Sequence, residues 1–390
     1  MNTQKMNNIG SGEEPKGRLV LVGSIVMDIL LYIDHLPDRG SDILASQCHI
    51  SPGGGFNVLN AARQLGMKAA YGGIIGTGRW ASGIQEALSE YNIDHLTSLT
   101  SEIDNGFVVG MVEPTGERTF ITYPGCESML QGEHLVQIED KLHNDDTIYI
   151  SGYEFLYPVS GPLLSNWIVH ASQRWNIVID PGPLVGELHD KSLVSIISAC
   201  SLLTLNLKEA ETLLNRVQEG VGAQSSRISS SPADLSTSAP PKTASNELPS
   251  KVSPSLTDLG TSPADIVIEY ATRLAKKLHR HLRKDATLII RAGEHGCVIM
   301  PGTSHSTDSM ENSDLYCTPA IIPSSPARKT VDTTGAGDVH TAAYLAGVAY
   351  GIAKTDAAWI ANVAASISVE RQGGASCPSI AEINNRLNTQ

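Results

Sequence analysis

The chain has 390 residues, 41% of them hydrophobic, and a formal net charge of −13 at pH 7. That length carries one large α/β domain or two ordinary ones, with apolar area for a sizeable core. The acidic balance speaks against a nucleic-acid binder, which needs a positive field to neutralise phosphates, but a local loop and Mg²⁺ can still hold a nucleotide. Six cysteines are scattered without a Cys-x-x-Cys pair, so reduced thiols are expected, not a disulfide framework or a zinc site.

Residues 1–17 are polar and are expected to form a disordered tail, without the apolar stretch of a signal peptide. No apolar run approaches the ~18 residues of a membrane span, which leaves the cytoplasm as the expected compartment. From Arg18 onward short apolar runs alternate with helical patterns. Leu19-Val-Leu-Val-Gly-Ser-Ile25 reads as a buried strand, with Asp28 just past its carboxyl end. Residues 57–65 read as a helix with Val58, Ala62 and Leu65 on one face and Gly66 at the stop. Ile84, Leu88 and Tyr91 mark a second helix.

Residues 107–112 and 119–123 flank Glu113-Pro-Thr-Gly-Glu117, the pattern of a hairpin that serves as a flap or an edge addition. The apolar runs 147–150, 177–179 and 202–205 lie about a helix length apart. This is the rhythm of βαβ units around a parallel sheet covered on both faces. Such sheets bind ligands beyond the carboxyl ends of their strands. Residues 219–262 are rich in Ser, Pro and Ala and contain no aromatic residue, so they read as a disordered insertion. A helix resumes at Ala264, a strand follows at 286–290, and another helix spans 339–349. The basic stretch 276–284, with His279 and His281, reads as a solvated helix face and not as a nucleic-acid patch.

The most informative run is Asp332-Thr-Thr-Gly-Ala-Gly-Asp338. Gly335, Ala336 and Gly337 open a helix and leave backbone N–H groups without intrahelical partners or side-chain shielding. With the helix dipole behind it, such a turn is an anion hole. If the hole receives a transferring phosphoryl group, Asp338 is placed to take the proton of an attacking hydroxyl. The same residues also describe an ordinary helix start with a dipole-compensating Asp. A second cluster, Ser51-Pro-Gly-Gly-Gly-Phe-Asn57, lets a ligand approach backbone closely. Asn57 offers both a donor and an acceptor for hydroxyls there, or simply caps a loop. Asp28 can hold vicinal hydroxyls or be a turn residue.

Together these pieces resemble the PfkB or ribokinase-like carbohydrate kinase family. Residues 332–338 match its C-terminal signature, and residues 53–66, with Ala61-Ala-Arg-Gln-Leu-Gly66, resemble its N-terminal one. Ile150-Ser-Gly152, Asp180-Pro181, Asn206-Leu-Lys-Glu209 and Gly293-Glu-His-Gly296 stand in the family's order between them. The resemblance implies an α/β fold, a ribokinase-like three-layer α/β/α sandwich spanning 18–390, with a small β lid from about 36–52 and 106–124. It implies an ATP-dependent kinase that moves the γ-phosphoryl group to a hydroxyl of a monosaccharide or sugar derivative. A nucleoside kinase of the same family and a non-catalytic sugar or nucleotide sensor are the alternatives.

By the same resemblance Asp338 is the base, and Gly335, Ala336 and Gly337 form the anion hole. Asp28, Gly53, Gly54 and Asn57 bind the acceptor, while Asn206 and Glu209 place Mg²⁺ and the ATP phosphates. Gly293 and Gly296 pass the phosphates, and Asn362 lines the adenine pocket. Asp332 and Thr334 match positions that hold an activating K⁺ in some relatives. Arg118, on the lid hairpin, either touches an anionic acceptor or forms a surface pair. The partners expected are a small sugar-like substrate and a second copy bound through the lid, with no nucleic acid and no membrane. Two departures bear on the acceptor and the phosphates. Val26 stands where ribokinases proper carry Asn, which points away from ribose. Arg291 replaces a Thr common before the phosphate loop, where it can pair with a phosphate bidentately or lie at the surface.

Overall fold

A computed structural model describes residues 14–98, 101–226, 262–302, 318–374 and 376–389. The first part of the chain forms β1 (Arg18–Leu21), β2 (Ile25–Tyr32), β3 (Gln47–Gly54), α1 (Gly55–Gln64), β4 (Lys68–Tyr71), α2 (Arg79–Glu90) and β5 (Asp94–His95). A hairpin of β6 (Phe107–Val112) and β7 (Arg118–Tyr123) follows. Then come α3 (Gly132–Lys141), β8 (Thr147–Ser151), α4 (Ser160–Ala171), β9 (Asn176–Asp180), α5 (Asp190–Ala199), β10 (Leu202–Asn206) and α6 (Leu207–Ser226). The last part forms α7 (Pro263–His279), β11 (Thr287–Arg291), β12 (Cys297–Met300), β13 (Ala320–Ile322), α8 (Ala336–Ala349), α9 (Lys354–Ser368) and α10 (Ile380–Leu387).

Nine strands among the described residues form one sheet in the order β13-β12-β11-β10-β9-β8-β1-β4-β5. The pairings from β11 through to β5 are parallel, and β12 and β13 add antiparallel strands at one edge. Leu19 and Leu21 pack into the layer of α1, α2, α8, α9 and α10, while Val20 and Val22 pack into the layer of α3 to α7. Helices on both faces are why β1, β9 and β10 read as continuous apolar runs with no polar alternation. The result is the expected three-layer α/β/α sandwich. From β1 the chain adds β4 and β5 on one side of it, then returns to place β8 on the other. That reversal opens a crevice at the carboxyl ends of β1 and β8.

A separate sheet, β3-β2-β6-β7, forms the lid. The sequence reading took 19–25 as one strand, but β1 ends at Leu21 and Ile25 already belongs to the lid. The cause is a tertiary contact: Ser24 N turns out of the ladder and donates to Glu154 Oε1 at 2.8 Å. The apolar run 25–32 therefore crosses to the lid, Asp28 sits within β2 and not in a turn, and no strand forms between Tyr32 and Gln47. Helix α6 continues to Ser226, past residue 219 where the Ser/Pro-rich insertion was expected to begin. Residues 227–261 of that expected insertion, and 1–13 of the expected tail, lie outside the described residues.

Candidate active site

Two cavities meet above the carboxyl ends of the strands. One, of about 350 Å³, lies between sheet and lid and is lined by Asp28, Gly54, Asn57, Glu154, Asp180 and Asp338, with Phe120, Tyr149, Tyr153 and Tyr157 as its aromatic walls. The other, of about 830 Å³, is lined by Asn206, Gly293, Gly296, Ala336, His340 and Asn362. Arg291 and Gly337 face both, so the start of α8 forms the wall between them.

Gly335 caps α8 at φ 72°, a left-handed conformation that strains any residue with a Cβ. It also packs so closely on the 373–374 loop that a Cβ would lie 2.0 Å from Gly374 O. No side chain caps this helix, and first-turn N–H groups lack intrahelical acceptors. Gly337 and Asp338 therefore present backbone donors where the two cavities join. Asp338 stands in that first turn and shares the smaller cavity with Asn57. Burial, and then the negative charge of Asp180, push its pKa up to about 7, against the opposing pull of Asn57 and Arg291. A carboxylate poised there is a competent general base at neutral pH.

Arg291, at the end of β11, donates from Nη1 to Asp180 Oδ2 at 2.9 Å and to Thr204 Oγ1 at 3.2 Å. Its Nη2 lies 3.7 Å from Glu209 Oε2. It is thus no surface residue: its side chain is 15% exposed and compensates charge at the junction. Asp180, Glu209 and Asp338 still outnumber it. Burial and Asp180 push the Glu209 carboxyl above its ordinary range.

Beside the smaller cavity, Asp28 pairs across β2 and β3 with Ser51, and Gly53 passes directly over its carboxylate. A Cβ on Gly53 would lie 2.0 Å from Asp28 Oδ2. Gly54 lines the cavity, whereas Gly53 backs Asp28. Burial pushes the Asp28 pKa up to about 7. Glu154 forms part of the floor. It accepts from Ser24 N and from Ser24 Oγ at 3.0 Å, and burial pushes its pKa up to about 8. Neither Glu154 nor Tyr153 stands in a run whose pattern gives it a role in the sequence. Both follow Ser151-Gly152 at the end of β8, a motif that marked the place without giving the side chains a role.

Between the two cavities, Asn206 and Glu209 form a reciprocal cap at the start of α6. Asn206 N and Nδ2 donate to the two Glu209 oxygens at 2.8 and 2.7 Å, and Glu209 N donates to Asn206 Oδ1 at 2.9 Å. This is the capping geometry that the spacing allowed, and it aims the pair at the strand ends. Only Asn206 lines the larger cavity; Glu209 faces the smaller one. Asn362 Nδ2 donates to Pro323 O at 2.7 Å, which turns its Oδ1 toward His340 Nε2 at 3.1 Å. Burial and the nearby Arg291 charge push the His340 pKa down to about 3, so its imidazole is neutral.

Asp332 lines neither cavity. Its Oδ1 accepts from Thr334 N at 2.8 Å and Thr334 Oγ1 at 2.7 Å, and its Oδ2 accepts from Gly373 N at 3.0 Å. The Arg118 guanidinium from the lid forms an ion pair with the same Oδ1. These contacts fill the carboxylate, and a metal cation beside a guanidinium is repelled. The residues present therefore do not fit a K⁺ at Asp332 and Thr334.

The sequence and the fold recur in related proteins. The family model described as "pfkB family carbohydrate kinase" matches residues 16–239 and 248–381. A protein of Escherichia coli described as "Uncharacterized sugar kinase YegV" is 27% identical over 366 residues, covering 94% of this chain and 92% of that protein. Among solved structures, Arabidopsis thaliana ribokinase complexed with ribose and ATP superposes with a TM-score of 0.62 at 18% identity, covering 96% of this chain and 99% of that one. Burkholderia thailandensis nucleoside kinase in complex with inosine does so at 0.65 and 16% identity, covering 95% and 96%. These structures share the fold, and of the two signature runs 332–338 falls at the junction of the cavities while 53–66 lines the smaller one. The chain belongs to the PfkB family of carbohydrate kinases, a phosphotransferase of the sugar or nucleoside kinase type with an alcohol group as acceptor.

Proposed function

We propose that the chain transfers the γ-phosphoryl group of ATP to a primary or anomeric hydroxyl of a monosaccharide or sugar derivative, with Asp338 as general base. One observation carries this reading: Asp338 and the open N–H groups of α8 stand where the smaller cavity meets the larger one. The smaller cavity takes the acceptor. Asp28 and Asn57 orient its hydroxyls, and Asp338 accepts the proton as the oxygen attacks phosphorus. The N–H groups of Gly337 and Asp338 meet the charge that spreads over the phosphoryl oxygens, the main work in this chemistry. ADP leaves through the larger cavity, where Gly293 and Gly296 pass the phosphates and Asn362 lines the base.

Asp180, Glu209 and Asp338 with only Arg291 between them leave an excess of negative charge. Mg²⁺ fits that excess. Asn206 and Glu209, whose oxygens are engaged in the α6 cap, would hold it through water, and it would supply charge neutralisation to the nucleotide phosphates. Exposed Ile121 and Tyr123 on the edge strand β7 support pairing of two copies through the lid.

A nucleoside acceptor is the second reading. Phe120, Tyr149, Tyr153 and Tyr157 wall the acceptor cavity, and flat bases stack on aromatic rings. A panel of pentoses, hexoses, their phosphates and nucleosides, assayed for ADP release with Mg-ATP, decides between the two. If ligands bind but no acceptor gives Asp338-dependent turnover, the chain is a sensor and the kinase proposal fails.

A further inference from the structure

Asp332 is a buried carboxylate, 6% exposed at its side chain, three residues before the cap of α8. Its hydrogen bonds from Thr334 and Gly373 tie the anion-hole turn to the 373–374 loop on which Gly335 packs. A buried carboxylate of this kind requires a compensating positive charge. That charge comes from Arg118, the first residue of lid strand β7, 214 positions away in the chain. Its Nη2 pairs with Asp332, and Nη1 donates to Thr333 Oγ1 at 3.2 Å. Its Nε is buried without an acceptor, so the Nη contacts with this loop are what hold the guanidinium. The lid thus delivers a cation to the base of the catalytic turn.

We propose that Arg118 is a positioning residue whose guanidinium takes the place of a free monovalent cation at Asp332. The anion-hole turn is then held by this contact from the lid and is indifferent to K⁺. The pair ties β7 to the base of the turn and sets Gly335 to Asp338 in place. The inference rests on the phosphotransferase reading of this site.

The test compares the full chain with Arg118→Ala and Arg118→Lys in potassium chloride and in tetramethylammonium chloride of equal ionic strength. Activity is read with the acceptor that the panel identifies, and melting temperature is read without any acceptor. The unaltered enzyme and Arg118→Lys are expected to turn over at the same rate in both salts. Arg118→Ala is expected to lose roughly tenfold or more in kcat in tetramethylammonium chloride, the scale of one charge-assisted hydrogen bond. Added K⁺ or guanidinium ion should restore part of that loss. K⁺ should also raise the melting temperature of Arg118→Ala and leave that of the unaltered protein where it was, a response that a merely structural contact does not produce.

Activation of the unaltered enzyme by K⁺ overturns the proposal, and this arm holds even where Arg118→Ala does not fold. So does an Arg118→Ala enzyme with no loss, or with a loss that neither cation restores. If no acceptor turns over in either salt, the phosphotransferase reading fails, and the melting comparison still decides the cation question.

Discussion

Arg291 Nη1 lies 2.9 Å from Asp180 Oδ2 on the wall between the two cavities, and its Nη2 faces Glu209 at 3.7 Å. One guanidinium thus serves two carboxylates, and Asp338 senses both signs: Asp180 raises its pKa and Arg291 opposes the rise. The Asp338 carboxyl is tuned by a balance set at the ends of β9 and β11 and not by its own helix alone.

Asp338→Asn is expected to lower kcat by roughly 10²–10⁴-fold, the usual worth of a general base, with ATP binding kept. Equilibrium binding of an ATP analogue and steady-state rates check the two halves; near-normal turnover removes Asp338 from the role. In the unaltered enzyme kcat/KM should rise with pH through about 7 as Asp338 loses its proton. Asp180→Asn removes a negative neighbour, so this acid limb should move to lower pH.

Arg291→Met leaves Asp180 and Glu209 buried without their cation. Breaking a buried pair from one side costs about 3–5 kcal/mol, and denaturant unfolding should show a loss on that scale. The acid limb should move to higher pH, opposite to Asp180→Asn. A shift in the same direction for both variants would show that the charge balance has been misassigned.

Glu154→Gln tests the floor of the acceptor cavity through stability. Glu154 titrates near 8 in the folded state against an ordinary value of 4.5, so between those values the folded state keeps a proton that the unfolded state has lost. Stability contributed by this group therefore falls as pH rises from 4.5 to 8. Gln carries no titrating proton, so the variant should lose that slope and melt above the unaltered protein at pH 8. Parallel melting curves across the range would contradict the burial argument.

Gly53→Ala places a Cβ against the Asp28 carboxylate, 2.0 Å from Oδ2 before any adjustment. Asp28 must move, so KM for the acceptor should rise while KM for ATP holds. An unchanged acceptor KM would separate Asp28 from substrate binding.

The strands β8, β9 and β10, the helix α1 and the turn at residues 332–338 were legible in the chain. Each depends on neighbours in sequence: a fully apolar run for a doubly covered strand, a glycine start for an open helix terminus. The reciprocal cap of Asn206 and Glu209 was legible for the same reason, at a spacing of three. The break of β1 at Leu21 was not, because the apolar run continues through residue 25 and the acceptor that draws Ser24 out of the ladder, Glu154, lies 130 residues away.

The same distinction divides the run that carries the chemistry. Residues 332–338 by themselves determined a glycine-capped helix start with a carboxylate in its first turn. The two cavities that it separates, the Arg291 that spans them and the lid Arg118 that neutralises Asp332 came only from the tertiary structure. Charges are compensated by whatever the strand crossovers bring within reach, and those partners stand 111 and 214 residues apart in the chain.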